Sequence, residues 1–384
     1  MADQDNRPNI LFILTDQQNA AAMANAGCSD VDTPALDSLA ESGVRFDRAY
    51  CTFPLCTPSR ASMFTGKMPH ELDIRTNCQP LPEEGRTEEL GWIFRNAGYE
   101  TAYAGKWHLP KQGMEDGHGF DVLCGMDDDL AAELSVEFLR QEHDRPFLLV
   151  SSYFQPHGCC PFHRYPDPRE CENLGLGHYG AFSAYGKDHG IDWPDDAYEP
   201  SFLERCPELP ENFEPAEGEP DVVRGKRDKT REMPDDQRPS FWKEPEEFNA
   251  ARNWGEEEFR YYRWAYYRLV EWVDARVAEL LEALREGGHA ENTLVVFTSD
   301  HGDMMGAHRL VAKNCFYEES VRVPWLMSLP GRIPAGHAVD GSLVSNGLDL
   351  IPTLCDYAGI DPPQNLAGRS VRKLVDAPED GAPP

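Results

Sequence analysis

The sequence predicts an α/β fold, a largely parallel sheet with helices on both faces. Two short apolar runs, Asn9-Ile10-Leu11-Phe12-Ile13-Leu14-Thr15 and Thr293-Leu294-Val295-Val296-Phe297-Thr298, have the length and β-branching of strands buried on both sides. Helix-period segments alternate with such runs along the chain, the pattern of βα units. With 384 residues and 40% hydrophobic side chains, the chain can close a substantial core.

The elements follow in order. The first strand ends at the polar residues Asp16, Gln17 and Gln18. Thr33-Pro34 offers an N-cap and a first-turn proline for a helix over Ala35 to Ser42, stopped by Gly43. A helix over Thr87 to Ala97, closed by Gly98, precedes a strand over Tyr99 to Ala104. A helix over Leu130 to Gln141 precedes a strand over Phe147 to Tyr153. A long amphipathic helix over Phe259 to Arg285, closed by Gly287-Gly288, leads into the strand ending at Ser299-Asp300-His301. The stretch from about Gly158 to Trp254 is rich in Pro, Glu, Asp and Gly, and reads as a long insertion over one face of the sheet. The last helix runs over Leu348 to Ala358. Residues 1–370 thus form one α/β domain carrying that insertion, and residues 371–384 a short acidic, Pro-rich tail.

Charge and composition narrow the function. A formal net charge of −31 repels nucleic acid and anionic membrane surfaces, so neither is expected as the main partner. There is no apolar run long enough to span a bilayer, and no charged-then-apolar leader at Met1, so a cytoplasmic location is expected. Eleven cysteines at irregular spacing read as reduced thiols rather than a disulfide framework.

In open α/β sheets ligands collect at the carboxyl ends of the strands. Two strands here end in groups suited to a divalent cation, Asp16-Gln17 and Asp300-His301. The segment Cys56-Thr57-Pro58-Ser59-Arg60 places a cysteine just ahead of a helix that Pro58 could begin. Backbone N–H groups there favour anions, so Cys56 reads either as a low-pKa nucleophilic thiolate or as a buried thiol beside a structural arginine.

Cys56-Thr57-Pro58-Ser59-Arg60, followed by Thr65-Gly66, resembles the signature of the type I sulfatases of the alkaline phosphatase superfamily. The resemblance runs from Asn9 to about Arg369. It takes in Gly105-Lys106-Trp107-His108, Gln155-Pro156-His157, Ser299-Asp300-His301-Gly302-Asp303 and Lys313. It implies the large mixed, mostly parallel sheet of that fold, and a metal-dependent hydrolase of sulfate monoesters. It also implies that a maturation enzyme oxidises Cys56 to formylglycine, whose hydrate attacks sulfur and later expels sulfate.

The resemblance assigns roles residue by residue. Asp16, Gln17, Asp300 and His301, with the modified Cys56, would hold one divalent ion, calcium first, with manganese or magnesium as alternatives. Arg60 would brace the formylglycine. Lys106 and Lys313 would bind sulfate oxygens, and His108 would orient the hydrate. His157 or Lys313 would protonate the leaving alkoxide, and Asn77 would touch the substrate. The pairs Asp16-Gln17 and Asp300-His301 are similar to those of choline-sulfatase-like enzymes and phosphonate monoester hydrolases. A phosphonate monoester or phosphodiester hydrolase is therefore the alternative activity, and a non-catalytic homologue the alternative class. The small C-terminal domain usual in the family would be absent or shortened. The expected substrate is a small sulfated molecule, with its alcohol part and the oligomeric state left open.

Overall fold

The computed structural model describes residues 7–82, 88–109, 118–163, 200–228, 251 and 254–376. The elements are β1 (Asn9–Asp16), α1 (Pro34–Glu41), β2 (Val44–Phe46), β3 (Ala49–Tyr50), α2 (Cys56–Thr65), α3 (Leu90–Asn96), β4 (Glu100–Gly105), β5 (Asp121–Cys124), α4 (Asp128–Arg140) and β6 (Phe147–Pro156). They continue with α5 (Glu256–Glu286), β7 (Thr293–Ser299), β8 (Trp325–Ser328), β9 (His337–Val339), β10 (Val344–Ser345) and α6 (Leu350–Ala358).

Eight strands form one sheet in the order β5-β4-β6-β1-β7-β8-β2-β9. The run from β5 to β7 is parallel throughout. β8 is antiparallel to both β7 and β2, and β9 returns parallel to β2. The sheet is therefore mixed and mostly parallel. β3 and β10 make a separate parallel pair.

Alternation along β1 shows why its sequence is apolar throughout. Ile10, Phe12 and Leu14 pack into one core with Phe64 of α2, Phe94 of α3 and Leu354 of α6. Leu11 and Ile13 pack into the opposite core with Leu36 of α1, Leu139 of α4 and Val277 of α5. All five β1 side chains have no exposed surface. Each contributes roughly 1.5–3 kcal/mol of burial, so the central strand is anchored on both faces.

Three sequence expectations shift. Thr33 does not cap α1. Its Oγ1 accepts from the Ala24 N–H, and the first α1 donors, Ala35 and Leu36, reach the Asp274 carboxylate of α5 at 3.0 and 2.8 Å. α3 begins at Leu90, and Thr87 lies outside the described residues. α2 begins at Cys56 itself, with Leu55 as N-cap and Pro58 inside the first turn. Within the Gly158–Trp254 insertion, short helices occupy Pro200–Leu203 and Asp221–Asp228. Phe202, Cys206 and Phe213 bury against the first half of α5. Residues 164–199, 229–250 and 377–384 lie outside the described residues, while the start of the expected tail 371–384 forms a short helix over Arg372–Asp376, with Val371 and Val375 buried in the core.

Candidate active site

Four adjacent parallel strands, β4-β6-β1-β7, end at one edge of the sheet and deliver the chemistry there. β1 ends in Asp16. β7 leads into Asp300-His301, β4 into Lys106-Trp107-His108 and β6 into His157. Thr15 lies opposite Ser299 and Gly105 opposite Ser152, so these ends are level. Gly105 has φ 98°, and a Cβ there would stand 1.9 Å from the Ser152 carbonyl. Only glycine lets β4 turn Lys106 into the site at that point. The end of β6 is tied down by Asp128 of α4, whose carboxylate accepts from the Phe154 and Gln155 N–H groups at 2.7 and 3.0 Å.

Asp16, Cys56, Asp300 and His301 converge, their ligand atoms all within 4.8 Å of one another and all fully buried. His301 Nε2 lies 3.3 Å from Cys56 Sγ, 3.6 Å from Asp16 Oδ1 and 3.5 Å from Asp300 Oδ1. His301 Nδ1 lies 3.0 Å from the Gly302 carbonyl, which can only accept, so the proton belongs on Nδ1 and the Nε2 lone pair faces the cluster. Burial, with Lys313 adding to it, holds His301 down at about 3, the neutral form a metal requires. Two carboxylates and an imidazole whose Nε2 lone pair faces them are donor types that a divalent ion takes. The residues present therefore fit the metal that the resemblance implies.

Asp300 is the best-supported member. Its Oδ2 accepts from Arg60 Nε at 2.7 Å and its Oδ1 from the Gln17 N–H at 3.1 Å. Burial acts to raise its carboxyl, but His301, Arg60 and the two lysines prevail and hold it well below the usual carboxylate range. Arg60, fully buried, also donates to the Lys106 carbonyl at 2.7 Å and to Ser152 Oγ at 3.0 Å. These hydrogen bonds brace the Asp300 carboxylate and the Lys106 backbone.

The cationic side chains crowd the cluster. Lys106 Nζ contacts the Asp16 Oδ2 carboxylate oxygen. Lys313 Nζ stands 3.1 Å from Cys56 Sγ and 3.6 Å from Asp16 Oδ1. Burial, reinforced by Lys313, brings Lys106 down to about 7. Burial also acts on Lys313, but the sulfur of Cys56 and the charge of Asp300 keep it above the usual lysine range. Burial pushes the Cys56 thiol up, with Lys313 only partly opposing. The low-pKa thiolate considered from the sequence is therefore corrected: desolvation outweighs the helix terminus.

The other expected residues divide. His108 and His157 are both held neutral by burial and by the neighbouring lysines, and their Nδ1 atoms are buried without a partner among the described residues. His157 Nε2 lies 3.9 Å from Cys160 Sγ. Asn77 Oδ1 accepts from the Thr57 N–H at 3.0 Å, so it caps α2 just behind Cys56. The Gln17 carboxamide, expected on the metal, turns to Asp303. Its Nε2 donates to Asp303 Oδ2 at 2.6 Å and lies 3.2 Å from Cys160 Sγ. Sequence reasoning missed this second layer. Tyr262 of α5 donates to the same Asp303 oxygen at 2.6 Å, and Tyr266 donates to the Gln17 carbonyl at 2.7 Å. The one available signal was the clustering of Tyr261, Tyr262, Tyr266 and Tyr267 on one long helix.

A metal-ready carboxylate cluster at the strand ends, ringed by ammonium groups, defines a hydrolase of anionic esters on an alkaline-phosphatase-like fold. The chain belongs to the sulfatase family: the Sulfatase family model matches residues 8–360. It is 30% identical to the Delta 4,5-hexuronate-2-O-sulfatase of Bacteroides thetaiotaomicron, over 96% of this chain and 72% of that protein. It is equally 30% identical to an ulvan-active sulfatase of Formosa agariphila, over 99% and 67%. A solved 2-O GAG sulfatase superposes with TM-score 0.75 at 29% identity, covering 98% of this chain and 76% of that one. The chain is accordingly a sulfuric ester hydrolase, and neither the phosphonate nor the non-catalytic alternative is favoured. No helix among the described residues is long and apolar enough to cross a membrane.

Proposed function

We propose that Cys56, oxidised to formylglycine by a maturation enzyme, is the nucleophilic position, and that Asp16, Asp300 and His301 join it in holding one divalent cation. The convergence of those four residues beside two lysines carries this reading. Calcium, typical of the family, is the first choice, with manganese or magnesium as alternatives. The cation would lower the pKa of the nucleophile's hydroxyl and offset sulfate charge. The hydrate would supply an oxygen nucleophile where Cys56 Sγ now stands.

The remaining roles fall to the chain's own side chains. Asp300, held ionised by Arg60, keeps the ligand set anionic. Lys106 and Lys313 take the sulfate oxygens as point charges. Lys313 is protonated at neutral pH and can give a proton to the departing alkoxide. Burial and the neighbouring lysines hold His157 neutral, and a sulfate anion beside it would favour its protonated form, which makes it the second donor. His108, on the tight turn after β4 at φ 53°, faces the same cluster of charges and orients the hydrate. Asn77 acts through the α2 terminus. The alcohol part of the substrate is read as a sugar, a reading supported by relatives that act on hexuronate and ulvan.

The test is mass spectrometry of the peptide bearing residue 56, isolated from the native host. Thiol-to-aldehyde conversion gives a mass about 18 Da below that of cysteine. An unmodified cysteine in an active preparation would overturn the nucleophile assignment. Metal analysis and a screen of monosulfated sugars against aryl sulfates and aryl phosphonates complete the test.

A further inference from the structure

Lys313 sits in a loop of strained backbone. Between Met305 and Asn314, five non-glycine residues are left-handed: Met305, His308, Arg309, Ala312 and Asn314, with φ of 52, 54, 55, 60 and 79°. Two of them flank Lys313 directly. L-residues avoid that region, so such a loop persists only where its surroundings over-determine it. Within the loop, the Met304 N–H reaches the Ala312 carbonyl and the Gly306 N–H the Leu310 carbonyl, at 2.8 and 2.9 Å, beside short turn bonds from Ala307 to Met304, Arg309 to Gly306 and Leu310 to Ala307.

Arg263 of α5 donates to the Met305 carbonyl at 2.9 Å and the Asn314 N–H donates to the Pro54 carbonyl at 3.0 Å, and the insertion adds a third set of contacts. The His308 N–H donates to the Asn212 carbonyl at 2.8 Å. Arg227 donates to the His308 carbonyl at 3.3 Å. Arg227 is also paired at 2.7 Å with Glu219, whose side chain is 2% exposed. Glu219 in turn accepts from the Tyr317 hydroxyl at 3.2 Å, and the Tyr317 ring stacks on His308 at 4.2 Å. Val223 packs under the loop against Met304, Ala307, Leu310 and Cys315. One buried carboxylate therefore grips the loop on both sides of Lys313, through Arg227 at His308 and directly at Tyr317.

We infer that Glu219, on the insertion, is a positioning residue for Lys313, so that this insertion sets the sulfate-binding geometry from outside the catalytic motifs. The inference rests on the sulfate-binding role proposed for Lys313. A lysine acting as a point charge loses effect steeply when displaced from contact, because a neighbouring anion is then screened by water.

The experiment is a double-mutant cycle of Glu219→Gln and Lys313→Ala in the metal-loaded enzyme. It reads kcat/KM on an aryl sulfate and the affinity for inorganic sulfate by calorimetry. Glu219→Gln is expected to lower kcat/KM about tenfold and to weaken sulfate binding. In the Lys313→Ala background it should change either by less than about twofold. Tyr317→Phe, which removes a single hydroxyl, should show the same pattern with a smaller loss, and it stands in if Glu219→Gln does not fold. Equal losses in both backgrounds, or no loss in a folded Glu219→Gln, would overturn the positioning role. No effect of Lys313→Ala on either measure would overturn the sulfate-binding role beneath it.

Discussion

Replacing Arg60 with methionine tests the support of the metal cluster. The substitution keeps the apolar stem and removes the guanidinium from a site with no exposed surface. Three contacts disappear, to Asp300 Oδ2, the Lys106 carbonyl and Ser152 Oγ. They are not equal. The Lys106 carbonyl still accepts from Ser152 Oγ and Tyr103, so it is not stranded. Asp300 loses its ion-pair partner while fully buried, and removing one partner of a buried pair costs about 3–5 kcal/mol. That corresponds to a fall in Tm of roughly 4–6 °C for a chain of this size. The assay is urea unfolding with metal chelated, at pH 7 and again near pH 4. The sign follows from linkage. Asp300 is held below its unfolded pKa, so its contribution is present above that value and is lost as pH falls through the folded one. Without Arg60 the carboxyl protonates at higher pH, so the gap between the variant and the wild type should shrink toward pH 4. A midpoint within about 1 kcal/mol of wild type at unchanged m, or a gap that widens in acid, would refute the argument.

Three more outcomes are expected. Inorganic sulfate should bind less tightly as pH rises through about 7, where Lys106 loses its proton, and Lys106→Met should flatten that dependence in a calorimetric titration. Calcium at about 1,000 times its Kd should stabilise the protein by roughly 4 kcal/mol in thermal unfolding. His301→Ala should remove most of that gain, because it deletes a ligand without touching Arg60. Asp274→Ala should cost about 2 kcal/mol by uncapping α1, measured by urea unfolding, with sulfatase turnover per folded molecule unchanged.

The parts legible in the sequence were those written in local pattern. β1 and β7 announce themselves because strands buried on both faces must be apolar throughout, and α5 because one stripe of its 31 residues faces the core. Asp16, Asp300 and His301 were legible because they directly follow those strands. What was hidden depends on distant neighbours. Asp274 stands some 240 residues from the helix it caps, and nothing near Thr33 reveals that its hydroxyl is taken by Ala24. Gln17 looked like a ligand by position, yet Asp303 and Tyr262 decide where its carboxamide turns. The direction of the Cys56 shift needed burial, which a helix start alone does not disclose. The strands β2, β9 and β10 are two or three residues long, too short for any periodicity to show.

The complete burial of Cys56 has a consequence for the order of events at synthesis. His301, which closes over the thiol, is made 245 residues later. At about 5–20 residues per second, a ribosome takes roughly 10–50 s to cover that distance. The conversion proposed for Cys56 has that interval in which to occur. With β7 docked beside β1, Cys56 has no exposed surface, so the proposed conversion would be easiest before that docking.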